Sequence, residues 1–340
     1  MKFLCKNCFA DEELKSFIVS QGVIGECDCC KSTNVEIIAF EELYDFFKEL
    51  SDNFQVNSQG QEFVVVLQEN WNLFSNIGVG RLILDEAYKK IPSFVAAAID
   101  YIGFSDEILE NINHWYTLKE ELKWKNRYII DINYLTDELG WDSFFESKVQ
   151  INKKNKFYRA RLHNSSGEKT YKRKQMICPP KEMSRAGRAN PIGIPYLYLC
   201  DNEDTVLYEI RATLLDEVSV ANIKLDSSKK ETITISDFTE KHSIYIPNGV
   251  NKRIKTTLLK KVISRELSKP MRRYDSELDY VPTQFICEFI KTFTNVQGIK
   301  FKSSLHPKGN NLVIFDQSLM KCTTVRKVKV SEILIKSNNV

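Results

Sequence analysis

The sequence lacks any apolar run near the roughly 18 residues of a membrane span, and its first twenty residues lack the basic, apolar, small-residue order of a signal peptide. These absences exclude a helical membrane protein and make a cytoplasmic location the expectation. No internal repeat and no low-complexity linker is present, so repeat arrays and long flexible tethers are excluded as well. Nor is the chain depleted of apolar residues: 43% are hydrophobic and 27% charged, the balance of a globular protein and not of a disordered one. At 340 residues, two domains of ordinary size are expected.

Nine cysteines are present, an odd number, and five of them fall within the first thirty residues. That distribution argues against a secreted disulfide framework. Cys178, Cys200, Cys287 and Cys322 lie in apolar or mixed surroundings and read as buried structural thiols. CKNC at Cys5–Cys8 and CDCC at Cys27–Cys30 form two CxxC pairs separated by 18 residues, the spacing of a four-cysteine zinc site. Two such turns close a tetrahedron around Zn2+ and leave no position open for catalysis, so a structural zinc on Cys5, Cys8, Cys27 and Cys30 is expected. Cys29 is a spare thiol, and spacing alone does not choose between it and its neighbours.

The net charge of +3 conceals an asymmetry. Residues 1–150 carry 13 Lys/Arg against 26 Asp/Glu, and residues 151–340 carry 35 against 19. A basic half suits a phosphate-bearing ligand, and an acidic half can act as a cover for it. Two unrelated domains of different composition would give the same numbers.

From Glu41 to Lys148 apolar residues recur three and four apart, as in EELYDFFKELSDNF and SDEILENINHWYTLKEELKWK, which predicts a small helical bundle. Trp71, Trp115, Trp124 and Trp141 are read as packing residues. INKKNK at 151–156 breaks the pattern, and the period then becomes two. FYRARLH, YLYLC, TVLYEIR, VSVANIKL, ETITI, IKFKS and NLVIF read as strands, with helices near 251–268 and 282–293. The expected fold class is α+β: a zinc ribbon over 1–40, a helical domain over 41–150, and over 151–340 a domain with a mixed or mainly antiparallel sheet.

Four clusters in the basic half place polar residues where a sheet would not require them: FYRAR at 157–161, RAGRANPIGIPYLYL at 185–199, TVLYEIR at 205–211, and YVPTQF with GIKFKSSLHPKGNNLVIF. The loop RAGRANPIG and its continuation join Arg185 and Arg188 to Gly187, Pro191, Gly193 and Pro195, residues of special backbone geometry, and guanidinium forks match phosphate oxygens two at a time. Glu209 stands in an apolar segment, where a carboxylate must be paired, hydrogen-bonded or functional. An ion pair with Arg211 or Arg159 would satisfy it equally.

In this order the clusters resemble the RES family, named for its Arg, Glu and Ser, over roughly residues 155–330. The resemblance implies an ADP-ribosyltransferase-like fold and destruction of NAD+, by hydrolysis or phosphorolysis, as a toxin that arrests growth in bacterial defence. It matches Arg159 to the arginine of the first strand and Arg188 to that of the Gly-Arg-x-Asn loop. It further matches Tyr198 to the tyrosine of the following strand, Glu209 to the glutamate and Ser303 to the serine. Ala186 stands where a first glycine is more usual, and Lys302 where a proline is common. Residues 1–150 resemble the HEPN-like extension of some longer RES proteins. His114 is the one histidine there and lacks the nearby arginine of a HEPN ribonuclease, so no RNase activity is expected.

On this resemblance NAD+ is the substrate, with Arg188, Tyr198, Glu209 and Ser303 catalytic. Glu209 would stabilise the oxocarbenium-like ribose left when nicotinamide departs. Arg159 and Arg188 would hold pyrophosphate or an attacking phosphate, Tyr198 would offer its ring, and Ser303 would bond the ribose or carboxamide. His163 and His306 are expected to play no direct part. A separate antitoxin or immunity protein and a homo-oligomeric state are expected; a nucleic-acid partner and a membrane are not. The alternatives are ADP-ribose transfer to a macromolecule, or a nucleic-acid-binding regulator built on the ribbon and the basic runs at 171–174 and 252–273.

Overall fold

A computed structural model describes residues 1–145, 148–239, 243–270 and 277–333. The chain forms two compact units, one of Met1–Thr117 with Glu240–Leu259, the other of Leu118–Thr239 with Lys260–Val340. Among the described residues no helix is long and apolar enough to cross a membrane.

The first unit opens with β1 (Phe3–Cys5), α1 (Glu12–Gln21), β2 (Val23–Gly25) and β3 (Val35–Ala39), the strands pairing antiparallel in the order β1-β3-β2. Asp11 starts α1: its carboxylate accepts from Leu14 N–H at 3.0 Å, and Glu12 and Glu13 occupy the positive first turn. There follow α2 (Tyr44–Ser51), β4 (Phe54–Glu62), α3 (Phe63–Trp71), α4 (Ile77–Lys90), β5 (Tyr101–Phe104) and α5 (Asp106–Trp124), the last passing into the second unit's residues. The helices lie where apolar periodicity predicts them. The antiparallel β4–β5 pair, whose strands are joined through α3 and α4, is an addition to the expected bundle. Its strand FQVNSQGQE is exposed along most of its length and shows no apolar alternation, so it carries no strand signal.

One core holds this unit together, with Phe40, Phe47, Phe63, Leu67 and Phe74 all fully buried. Ile244, Val250, Ile254 and Leu258, far along the chain, belong to the same core. Asp11 also ties that segment down, accepting from Ile244 N–H at 2.8 Å. Each such apolar side chain contributes roughly 1.5–3 kcal/mol on burial, so this late segment is a substantial part of the unit's stability. Trp71, Trp115 and Trp141 are buried, as packing residues should be. Trp124 is not: it ends α5 and is 68% exposed, because the last turn leaves the core behind.

The second unit contains α6 (Trp141–Phe144), β6 (Lys148–Asn152), β7 (Phe157–Leu162), β8 (Leu197–Cys200), α7 (Glu203–Glu209), β9 (Glu217–Leu225) and β10 (Thr232–Asp237). After α8 (Val250–Ser268), which begins among residues of the first unit, come α9 (Val281–Phe293), β11 (Gly298–Lys302), β12 (Asn310–Ile314) and β13 (Met320–Lys329). Eight strands form one mixed sheet in the order β13-β9-β7-β8-β12-β11-β10-β6. Only β10–β11 is parallel among the described pairs; the fold is α+β.

The segment TVLYEIR corrects the sequence reading. It is not a strand but most of α7 and its end. Asn202 caps the helix by accepting from Thr205 N–H at 2.8 Å, and Glu203 and Asp204 lie in the first turn. Over seven residues, periods of 2 and 3.6 are hard to tell apart, and the cap decides. Val206 packs with Ala160, Cys200, Val218 and Val220 on one sheet face. This packing directs the last residue of α7, Glu209, to the sheet's centre.

Candidate active site

A cavity of about 430 Å3 opens over the middle of the sheet in the second unit, a volume within the range of small-molecule sites. Among the described residues its charged lining is Arg159, Arg188, Arg211 and Glu209: three guanidinium groups and one carboxylate.

Arg159 rises from β7, which is flanked by β9 and β8. Its Nη1 donates to the Tyr198 carbonyl at 3.0 Å. Burial, aided by the neighbouring Arg161, lowers its pKa to about 10. Arg188 comes from the loop before β8. Its Nη1 donates to the Glu266 carbonyl at 3.1 Å, and its guanidinium carbon lies 5.7 Å from the centre of the Tyr280 ring. Burial lowers this arginine too. Arg211, just past α7, has φ +54°, a left-handed conformation that a non-glycine residue adopts at a cost of about 1 kcal/mol or more.

The loop bearing Arg188 is fastened by neutral groups. Gly187 N–H donates to the Asn190 carbonyl at 2.9 Å, and Gln284 Nε2 donates to the Gly187 carbonyl at 2.8 Å. Thr283 Oγ1 donates to the Arg188 carbonyl at 2.6 Å. Tyr198 donates its hydroxyl to Asn190 Oδ1 at 2.7 Å and accepts from Ala189 N–H at 3.0 Å. Burial pushes this hydroxyl's pKa up, so it stays a donor. A side chain at Gly187 would place its Cβ 2.7 Å from both Asn190 Oδ1 and the Tyr198 hydroxyl, which explains the glycine.

Glu209 sits at the C-terminal end of α7, where the helix dipole disfavours an anion by a few tenths of a kcal/mol. Two donors outweigh that: Ser303 Oγ and Asn311 Nδ2 both reach Oε1 at 2.7 Å. Hydrogen bonds to a charged group contribute about 1.5–3 kcal/mol each. Ser303 is 6% exposed, and its oxygen also accepts from the N–H groups of Leu305 and His306.

The cavity thus collects Arg159, Arg188, Tyr198 and Glu209 from four separate segments, while Ser303 stands behind Glu209. His163 and His306 do not line it. His306 stacks on Tyr208 at 5.0 Å with Nδ1 2.8 Å from Thr205 Oγ1, and His163 stacks on Tyr171 with Nε2 2.9 Å from Ser219 Oγ. Sequence reasoning gave no role to Asn190, Gln284, Asn311 or Tyr280, and offered Arg211 only as an ion-pair partner for Glu209. PTQ and GNN stood out as motifs, but an amide's task depends on its partner, and these partners are remote.

In the first unit Cys5, Cys8, Cys27 and Cys30 bring four sulfurs within 4.8 Å of one another. Sγ separations are 3.8 Å for Cys5–Cys8, 3.4 Å for Cys5–Cys30 and 3.5 Å for Cys8–Cys27. Four thiolates about 2.3 Å from a tetrahedral zinc lie about 3.8 Å apart, so the cluster fits such an ion with slight expansion. Cys30, not Cys29, completes the set.

A family model for the RES domain matches residues 156–334. No curated protein and no solved structure matches the chain.

Proposed function

The chain belongs to the RES-domain family, and from that premise we propose that its second unit cleaves the bond between nicotinamide and ribose in NAD+. One observation carries the reading: among the described residues a single carboxylate, Glu209, held by two donors, lines a cavity whose other charged groups are Arg159, Arg188 and Arg211. Such a site suits a ligand whose negative charge is spread over phosphates and whose reaction develops positive charge at one carbon.

Nicotinamide leaves with the bonding electron pair, which neutralises its pyridinium ring. The ribose carbon is left oxocarbenium-like, and Glu209 stabilises it across the cavity. Arg159 and Arg188 hold the pyrophosphate, each already oriented by a backbone carbonyl. The Tyr198 hydroxyl is committed to the Asn190 loop, so what Tyr198 offers a ligand is its ring. Ser303 acts through Glu209, since its own proton is directed there. Water at the ribose carbon yields ADP-ribose and a proton; inorganic phosphate yields the 1-phosphate.

Cys5, Cys8, Cys27 and Cys30 are proposed to hold a structural zinc ion, whose binding would contribute folding free energy to a ribbon with little core of its own. Loss of NAD+ would arrest growth, and a separate antitoxin is the proposed restraint.

The test is incubation of purified protein with NAD+, with and without phosphate, following nicotinamide and the ribose product. Glu209→Gln keeps the shape and removes the charge, and is expected to lower nicotinamide release by about 10²–10³-fold. Equal release by the variant would refute the role of Glu209. Label retained on macromolecules would replace cleavage by transfer.

A further inference from the structure

Asn311 faces Cys200 across the antiparallel β12–β8 pair. Its neighbour Asn310 points to the other side of the strand, where Nδ2 donates to Asp201 Oδ2 at 2.6 Å. The two adjacent amides therefore have separate tasks. That of Asn310 is to join β12 to the end of β8. The amide of Asn311 is held at both ends: Oδ1 lies 3.3 Å from Cys200 Sγ, which donates to it, and Nδ2 lies 2.7 Å from Glu209 Oε1. Rotating the amide by half a turn would set Oδ1 against the carboxylate and leave the thiol facing a donor, so one orientation prevails.

Ser303 meets the same carboxylate oxygen. A hydroxyl has one proton and two lone pairs. Here the oxygen accepts from Leu305 N–H at 3.2 Å and His306 N–H at 3.0 Å, so its proton goes to Glu209 Oε1. Among the described residues, then, two donors from different elements converge on one oxygen of Glu209. An oxygen that accepts two hydrogen bonds has its lone pairs engaged, which leaves the other oxygen for a ligand.

We infer that Asn311, oriented by Cys200, is a positioning residue for Glu209: with Ser303 it engages one carboxylate oxygen and leaves the other to face the ribose. This rests on the NAD+ reading above. Asn311 never needs to touch the reacting carbon; it removes the rotational freedom of the group that does. Misplacement of a reacting group by about 1 Å lowers rates by about 10²-fold, and that is the loss expected in kcat for Asn311→Ala, with KM little changed.

Asn311→Asp separates positioning from simple structural filling. Among the described residues, the other charged or titratable groups lining the cavity are Arg159 on β7, Tyr198 and Cys200 on β8, Arg188 on its loop, Arg211 after α7 and Tyr280 before α9; His306 lies beyond Ser303. A protonated carboxyl at position 311 donates to Glu209 as the amide does. Once ionised it repels Glu209. The Asp variant should therefore approach wild-type kcat at acid pH and fall to the level of Asn311→Ala as pH rises, a limb absent from wild type. Cys200→Ser, which keeps a donor to Oδ1, should retain more activity than Cys200→Ala.

The deciding measurements are kcat and KM against pH for these variants, with circular dichroism to verify folding, and the side-chain amide signals of Asn311 by 15N NMR without NAD+. Wild-type kcat in Asn311→Ala, or an Asp variant that tracks Ala at every pH, overturns the inference. Should wild type release no nicotinamide, the NAD+ reading fails by itself. The NMR arm still decides the contact: Asn311 amide signals that do not move in Glu209→Gln overturn it.

Discussion

Arg159 keeps a half-buried guanidinium in the middle of a sheet, and desolvation brings its pKa down to about 10. The sign of the consequence is fixed. Below that pH the group is charged and can hold phosphate; above it the charge is lost, although an ordinary arginine would keep it to about 12.5. Affinity for ADP-ribose, measured by calorimetry, is expected to fall as pH rises through about 10. Arg159→Leu should bind weakly at pH 8 and lose less on going higher. A flat affinity to pH 11 in the folded wild type would contradict this. Arg159, Arg188 and Glu209 were legible as residues because charge in an apolar segment is conspicuous. Asn190, Gln284 and Asn311 were not, since an amide is ordinary anywhere and its worth lies in what it meets.

Among the elements, α7 has the greatest consequence for its length. It is short, ends in Glu209, and is held by a cap at one end and a left-handed Arg211 just past the other. Asn202 Oδ1 accepts from both Thr205 N–H and Thr205 Oγ1 at 2.8 Å. Asn202→Ala is expected to destabilise the second unit by about 1 kcal/mol, read as a lower urea midpoint, and to reduce kcat because the helix end carries the carboxylate. An unchanged midpoint would show that packing alone holds the helix. Gly309 marks how closely the next loop approaches: a Cβ there would lie 1.7 Å from Thr205 Oγ1. Local sequence signals gave α8, α9 and six of the strands their places. For α7 they gave the wrong element, because seven residues with an apolar beat suit either and the deciding contacts come from Ala160, Val218 and Val220.

For the whole molecule, the first unit combines a cysteine-bearing three-stranded sheet with a core completed by Ile244, Val250, Ile254 and Leu258. A chain cut at residue 152 would leave Ile244, Val250, Ile254 and Leu258 without that core. Removing metal with a chelator strong enough to compete for thiolates is expected to loosen β1 to β3 first, seen as faster proteolysis within residues 1–40, and Cys27→Ser should do the same without chelator. Protease resistance unchanged by either would remove the metal from the account. The charge asymmetry between residues 1–150 and 151–340 is a property of composition, and it belongs with the basic cavity in the second unit only through the arginines that line it.

What the sequence alone determined is local: two CxxC turns, helical and strand periods, a basic glycine-bearing loop, and the set of residue types suited to a dinucleotide. These depend on neighbours a few positions apart, and so they can be read in order along the chain. Tertiary structure decided which groups meet. Ser303 and Asn311 reach Glu209 across 94 and 102 positions, and Ile244 to Leu258 join a core begun at the N-terminus. Hydrogen bonding and burial act through space, so their partners are settled only when the sheet has brought its strands together.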